Sequence, residues 1–294
     1  MPPSSPHPDG YSARFYKLLF MTPTILVLAL IVAAPLIYSF WLSLHEYIMT
    51  YGMGEFWWFE NYAAMMGREF AGVSWVTLKL TFLVVVLEFF IALGLALLLN
   101  QPWLRFRNVY LVVLMLPILM TPVAVALMFR LMFNPNLGIV NWVLGLVGIP
   151  AQGWFGDPNL ALATVVFVDI WNETSLVLIM LYAGLKSLPN DPVEAARIDG
   201  ASPWQVLVHV TLPMLKPVIL VTLLIRMITA LKSYDLIYML TQGGPGSRTE
   251  TISFYAYRLG FRFLDIGQAA AVSFILLAAV VALTILLLRI MRET

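Results

Sequence analysis

Long apolar segments separated by short polar ones dominate this chain of 294 residues. Six segments have the length of roughly 20 mainly apolar residues that a helix needs to cross a bilayer. They cover residues 18–44, 75–99, 109–133, 160–185, 218–240 and 268–290. Pro35, Pro117 and Pro122 fall inside them, where membrane helices tolerate kinks. The pattern predicts an all-α integral membrane protein with a six-helix transmembrane domain over 18–290, preceded by a tail at 1–17.

The composition indicates the same class of protein. Hydrophobic residues make up 61% of the chain, charged residues 11%, and the mean hydropathy is +0.88. Soluble domains have about 45–50% apolar and about 25% charged residues. The net charge of +1 gives no sign of a nucleic-acid surface, and the lack of cysteine excludes disulfides and thiolate metal sites. The histidines His7, His45 and His209 are too scattered to indicate a metal cluster.

The charge of the connecting segments predicts an orientation. Nine lysines and arginines flank the spans on the side of the N-terminus, and four flank them on the other side. The positive-inside rule therefore predicts that both termini are cytoplasmic, together with the polar loop at 186–216. On the opposite side, the segment at 46–74 is aromatic and acidic. That is typical either of an interfacial belt or of a rim on which an external protein docks.

The loop at 186–216 contains the start and stop signals of two short helices. Asp191 can cap the first helix, and the proline after it suits the first helical position. Gly200 ends this helix, because glycine accepts the positive φ of a helix C-terminus. Ser202 starts a second helix, which we expect to stop near Leu212-Pro213. An ordinary interfacial connector is one interpretation, but small side chains between two capped helices favour a surface on which a partner docks.

Small and charged residues occupy specific positions in and after this loop: Glu194, Ala195, Ala196, Asp199, Gly200, Leu212 and Pro213. At these positions the chain resembles the EAA loop of permease subunits in bacterial binding-protein-dependent ABC importers. A second stretch, L-T-Q-G-G-P at 240–245 followed by Thr249, Tyr255 and Tyr257, is similar to carbohydrate permeases of the maltose, trehalose and glycerol-phosphate type. The resemblance covers nearly the whole chain.

The resemblance implies a type I ABC importer permease fold in the bacterial inner membrane. In such permeases the EAA loop forms a coupling helix that lies in a cleft of the ATPase subunit. The implied partners are a second homologous permease, two ATP-binding subunits, an extracytoplasmic solute-binding protein, membrane lipid and a carbohydrate. The chain has no P-loop, H-E-x-x-H or G-x-S-x-G sequence. We therefore expect no catalytic site and no cofactor in this chain, with ATP and Mg bound by the ATPase partner.

Ionisable residues inside the predicted spans are candidates for function, because each costs at least about 2.5–3.5 kcal/mol on insertion scales. Asp169 and Glu173 are four residues apart and share a helix face. Arg226 falls at a similar depth on another span, so either a structural ion pair or a hydrophilic cavity that binds a polyhydroxyl substrate is expected. For Glu88 we expect a structural role with no specific partner.

The resemblance to maltose-type permeases places a sugar pocket at these depths. The corresponding positions are Asp169, Glu173, Arg226, Ala230 and Ser233, with Asn172 beside them. Maltose-type permeases have neutral residues there, so the charges point to a polyol or to a sugar derivative with an anionic group.

Three other functions compete with this prediction. An ion-coupled secondary transporter would use Glu88, Asp169 or Glu173 and would need no ATPase. A membrane-embedded enzyme would need a nucleophile with its base, or a metal cluster. An ABC permease for a non-carbohydrate solute would share the loop, but the Gly-Gly-Pro stretch favours carbohydrate.

Overall fold

The computed structural model describes residues 10–292, so the first half of the predicted tail lies outside it. Helices make up most of this range, in agreement with the predicted class. Their bounds are α1 Gly10–Leu28, α2 Ala34–Ser43, α3 Glu60–Ala64, α4 Arg68–Leu99, α5 Arg107–Met115, α6 Pro122–Met132, α7 Ile139–Leu146, α8 Ala161–Ser187, α9 Asp191–Ile198, α10 Pro203–Val206, α11 Leu212–Leu231, α12 Asp235–Leu240, α13 Ile252–Tyr257 and α14 Ile266–Arg292.

Within the described range, five helices are long and apolar enough to cross a membrane, and a bent pair supplies the sixth predicted span. The five are Phe15–Ser43, Arg68–Leu99, Ala161–Ser187, Pro203–Leu231 and Ile266–Ile290. The predicted span at 109–133 is α5 and α6, which meet at 96° after a 3₁₀ turn at Leu116–Leu119. The bend falls where Pro122 begins a new helix, and Thr121 caps it by accepting from the Ala124 amide.

The predicted span at 218–240 is wrong at both ends. The helix starts at Pro203 and runs through a π-helical turn at Leu207–Thr211 into α11, so it does not stop at Leu212-Pro213. In that turn the amide of Leu212 donates to the carbonyl of Leu207, which adapts the backbone to the proline that follows. At the other end the helix stops at Leu231, and α12 begins separately at Asp235.

A two-stranded antiparallel hairpin was not predicted from the sequence. Strand β1, His45–Ile48, pairs with β2, Gly52–Phe56, within the aromatic segment after the first span. Gly52 has a φ of +86°, which suits glycine in the turn. The side-chain Nδ2 of Asn61 donates hydrogen bonds to the backbone carbonyls of Ser43 and His45, both at 2.9 Å. These bonds connect the hairpin to the end of the first span.

Helices α4, α8 and α11 pack against one another and form the centre of the fold. One apolar cluster around Val84, Val168 and Ile237 fills one end of this bundle, and a second around Ala96 and Leu181 fills the other. Each of the three helices carries one buried charged residue: Glu88 on α4, Asp169 on α8 and Arg226 on α11. The fold therefore brings together side chains from three separate spans.

Candidate functional site

A buried ionic cluster lies at the junction of α4, α8 and α11. Nε and Nη2 of Arg226 donate to the two carboxylate oxygens of Glu88, with the Nη2 bond at 2.9 Å. Nη2 also donates to Oδ2 of Asp169, and Nη1 donates to the Thr229 hydroxyl at 3.2 Å. The exposed fractions are 3% for Arg226, 0% for Glu88 and 5% for Asp169. We call Glu88, Asp169 and Arg226 the ionic trio.

The expectation that Glu88 has no specific partner is wrong. Its carboxylate is the bidentate partner of Arg226, 138 residues away in the chain. The predicted spans contained the signal. At a rise of 1.5 Å per residue, Glu88 lies about 18 Å from Asn100, which follows the predicted span at 75–99. Arg226 lies about 14 Å from Pro217, which precedes the predicted span at 218–240, so both residues fall at a similar depth in their predicted spans.

Glu173 behaves differently from the other two carboxylates. Its Oε1 accepts a hydrogen bond of 3.0 Å from the side-chain Nδ2 of Asn172, and the Glu173 side chain is only partly buried. Asp169 and Glu173 share a face of α8, but in the described contacts only Asp169 pairs with Arg226.

A polar cleft of about 140 Å³ opens beside the ionic trio. Its lining comes from the start of α6, the middle of α8, the end of α11 and the start of α12: Pro122, Asp169, Asn172, Glu173, Arg226, Thr229, Lys232, Ser233, Tyr234, Asp235 and Leu236. Five of the six predicted pocket residues meet here, and Ala230 is the exception. It is 1% exposed and packs into the apolar cluster with Val84 and Ile237.

Sequence reasoning missed several residues of this lining. Thr229, Lys232, Tyr234 and Asp235 line the cleft but were not assigned to the pocket, because 218–240 was taken as one continuous helix. The break between Leu231 and Asp235 brings Lys232, Tyr234 and Asp235 to the cleft, whereas Thr229 reaches it from the last turns of α11. A lysine, serine and aspartate within four residues near the end of an apolar run were the available signal.

The predicted helix–turn–helix loop is present as α9, Gly200 and α10. Gly200 has a φ of +83°, as expected for a glycine that ends a helix. Ser202 begins the second helix with a reciprocal pair: its amide donates to Oε1 of Gln205 at 2.8 Å, and the Gln205 amide donates to the Ser202 hydroxyl. The prediction for Asp191 is wrong, since it is the first residue of α9 and not its cap.

The surface of this loop is exposed in the described chain. Helix α9, which carries Glu194, Ala195 and Ala196, contributes no buried residue, and Asp199 and Gly200 follow it at the surface. Two large apolar side chains are exposed as well, Ile198 at 85% and Trp204 at 71%. Neither residue was predicted from the sequence to lie at a contact surface. Apolar side chains exposed among charges on a polar loop indicate a protein contact surface.

The stretch with Gly-Gly-Pro has a structural role at the other end of the bundle. Thr249 donates to the carbonyl of Gly244 at 2.8 Å, and Thr251 donates to the carbonyl of Ser233 at 3.0 Å. The amide of Ile252 donates to the Thr77 hydroxyl of α4 at 2.9 Å. The bond to Ser233 joins the stretch to the lining of the cleft, and the bond to Thr77 joins it to α4.

Arg258 lies between two carboxylates at this end. It contacts Glu69, and its Nε is 3.0 Å from Oε1 of Glu250. Burial raises the pKa of the Glu250 carboxyl above its usual range, while the neighbouring Arg258 acts in the opposite direction.

Comparison with known proteins defines the class. Residues 89–293 match the family described as "binding-protein-dependent transport system inner membrane component". The chain is 35% identical over 275 residues to the trehalose/maltose transport system permease protein MalF of Thermococcus litoralis, covering 93% of this chain and 92% of that protein. It is 36% identical over 281 residues to the sulfoquinovosyl glycerol transport system permease protein SmoG of Agrobacterium fabrum, covering 95% and 91%.

A solved structure shares the fold. A chain from a bacterial alginate ABC transporter, in complex with an alginate pentasaccharide-bound periplasmic protein, superimposes with a TM-score of 0.83 at 23% identity over 96% of both chains. The chain therefore belongs to the family of binding-protein-dependent transport system inner membrane components. It is a multi-pass inner membrane permease with the type I importer fold. The family is a transport component and not an enzyme. Family membership also disfavours an ion-coupled secondary transporter.

Proposed function

We propose that this chain is one permease subunit of an ATP-driven importer for a carbohydrate. The names of similar proteins support this class of substrate, since they include trehalose, maltose and sulfoquinovosyl glycerol. The polar cleft offers carboxylate, amide and hydroxyl groups that hydrogen-bond sugar hydroxyls. A second homologous permease would supply the other half of the pathway, and a solute-binding protein would deliver the sugar to the outer end.

The exposed loop at α9 and α10 is the observation on which the proposal rests. In this proposal α9 is the coupling helix, with both chain termini on the same, cytoplasmic side. Glu194, Ala195, Ala196, Asp199 and Gly200 would contact one of two ATPase subunits, and Ile198 and Trp204 would be buried there. ATP and Mg would bind to the ATPase pair, and this chain would hold no cofactor.

The helices next to the loop explain how movement could reach the cleft. Helix α8 carries Asp169 and Glu173 and ends just before α9, whereas α10 continues into the helix that carries Arg226. Arg226 lies 20 residues beyond Val206, which is about 30 Å at 1.5 Å per residue. A displacement of the loop would therefore act on both walls of the cleft through rigid elements.

Site-directed cross-linking tests the coupling assignment. The chain has no cysteine, so a single cysteine at Ala195 is unique within it. We expect Ala195→Cys to cross-link to a cysteine in the ATPase subunit of the assembled transporter, and the cross-link to stop ATP-driven sugar uptake.

Leu137→Cys is the matched control. Leu137 is 92% exposed and lies in the connection between α6 and α7, which the proposal places outside. It should react with membrane-impermeant maleimide added outside intact cells and should form no ATPase cross-link. Labelling of Ala195→Cys from outside, or no cross-link at this position in an intact complex, would refute the assignment.

A further inference from the structure

We propose that the polar cleft selects against anionic sugars and accepts neutral or amino sugars, because Arg226 is already neutralised by its own chain. This inference rests on the proposed carbohydrate function and names the substrate class. It runs against the expectation that a buried arginine beside the pocket binds an acidic group of the substrate.

The donors of Arg226 are almost fully used. A guanidinium has five N–H groups. Glu88 accepts from Nε and Nη2, Asp169 accepts from Nη2, and the Thr229 hydroxyl accepts from Nη1. Within the described residues this leaves one N–H without a partner, on a side chain that is only 3% exposed. A substrate carboxylate or sulfonate would have to displace Glu88 or Asp169 to gain a two-pronged contact.

The charge of the ionic trio leads to the same conclusion. One guanidinium faces two carboxylates, so the net charge of the trio is negative when both are ionised and zero when one carries a proton. It is positive in neither state. The fold therefore supplies at least enough negative charge to balance Arg226 before any substrate enters.

The rest of the lining adds further negative charge. Glu173 and Asp235 face the cleft with a single additional cation, Lys232. In the part of the chain that the structure describes, acidic groups therefore outnumber basic ones around the cleft. Carboxylates accept hydrogen bonds from sugar hydroxyls and attract an ammonium group, whereas they repel a second carboxylate.

The test uses sugars that share a ring and differ in charge. Glucose, glucosamine and glucuronate form one such set, and galactose, galactosamine and galacturonate form a second with a different hydroxyl pattern. Binding is measured by saturation-transfer-difference NMR on the assembled transporter in nanodiscs, without the solute-binding protein, whose own selectivity would otherwise dominate. We expect the uronates to bind at least about tenfold more weakly than the neutral or amino sugar of the same set.

Removing one acidic group of the trio should change this preference. When both carboxylates of the trio are ionised, Glu88→Gln raises the net charge of the trio from negative to zero at nearly constant volume, and the penalty against uronates should fall about tenfold or more. Asp169→Asn makes the same charge change from another helix, and it serves as the second variant if Glu88→Gln fails to assemble. Glu69→Gln removes a carboxylate that contacts Arg258 away from the cleft, so it should leave the ratio unchanged.

Two results would overturn the inference. One is a wild-type transporter that binds a uronate as tightly as its neutral counterpart. The other is an unchanged ratio in the assembled variants of the trio. A transporter that binds no sugar of any charge, yet still cross-links to its ATPase through Ala195→Cys, would instead count against the carbohydrate function on which the inference rests.

Discussion

Replacing Arg226 with methionine tests whether the ionic trio holds the bundle together. Methionine keeps an unbranched side chain of similar length but removes the only cation of the trio. Glu88 and Asp169, at 0% and 5% exposure, would then lie next to each other in the apolar interior. The substitution therefore leaves two buried acidic groups without their shared partner.

The expected loss of stability is large. Breaking a buried ion pair by removing one partner costs about 3–5 kcal/mol, because an uncompensated charge stays behind. On a scale of about 2–4 °C per kcal/mol for chains of comparable size, the midpoint of thermal unfolding should fall by roughly 6–20 °C. The triple variant Glu88→Gln, Asp169→Asn, Arg226→Met removes all three charges and should recover most of this loss.

The assay is thermal unfolding of the purified permease complex in one detergent, followed by tryptophan fluorescence. Wild type, Arg226→Met, the double variant Glu88→Gln, Asp169→Asn and the triple variant form a cycle that isolates the coupling between Arg226 and the two carboxylates. If Arg226→Met unfolds within about 2 °C of wild type, the trio carries less than about 1 kcal/mol and the reasoning fails. If the triple variant is as unstable as the single one, lost packing and not stranded charge is the cause.

Other positions allow further tests of the fold. A Cβ at Gly184 would lie 2.7 Å from Cγ1 of Val218 and 2.9 Å from Cδ1 of Leu215, so Gly184→Ala should cost about 1–3 kcal/mol in thermal unfolding, and Val218→Ala should recover part of this loss. Ser202→Ala removes the cap of α10 and should cost about 1 kcal/mol, measured as faster hydrogen exchange at residues 204–206. Because the folded-state pKa of Glu250 is raised, its contribution to stability is present at low pH and is lost as pH rises from 4.5 through that raised value. Glu250→Gln should therefore flatten this fall in the unfolding midpoint, and an unchanged pH profile would contradict the assignment.

Capping signals in the sequence located the helix ends in the loop at 186–216 only in part. Gly200 and Ser202 were identified from backbone preference and capping alone, and both have the expected geometry. Asp191 was misassigned because a proline after an acidic residue suits more than one position in a first helical turn. The exposure of Ile198 and Trp204 could not be read from the sequence, since apolar residues in a membrane chain normally face lipid or core.

The contacts in the cleft could be predicted from the sequence only where they lie on one helix. Asp169 and Glu173 share a face by helical spacing, which the sequence states directly. Whether Arg226 meets them, Glu88 or all three depends on how the three helices pack and on their relative rotation. In the structure Arg226 donates hydrogen bonds to Glu88 and Asp169, and Glu173 accepts one from Asn172.

The sequence by itself determined the class of protein, the apolar segments and the small-residue loop, because hydropathy and capping are properties of consecutive residues. Only the tertiary structure decided the 96° bend between α5 and α6, the end of α11 at Leu231 and the partner of Glu88. These features depend on contacts between segments far apart in the chain. A buried charge is stabilised by the group that lies nearest in space, and sequence distance carries no information about which group that is.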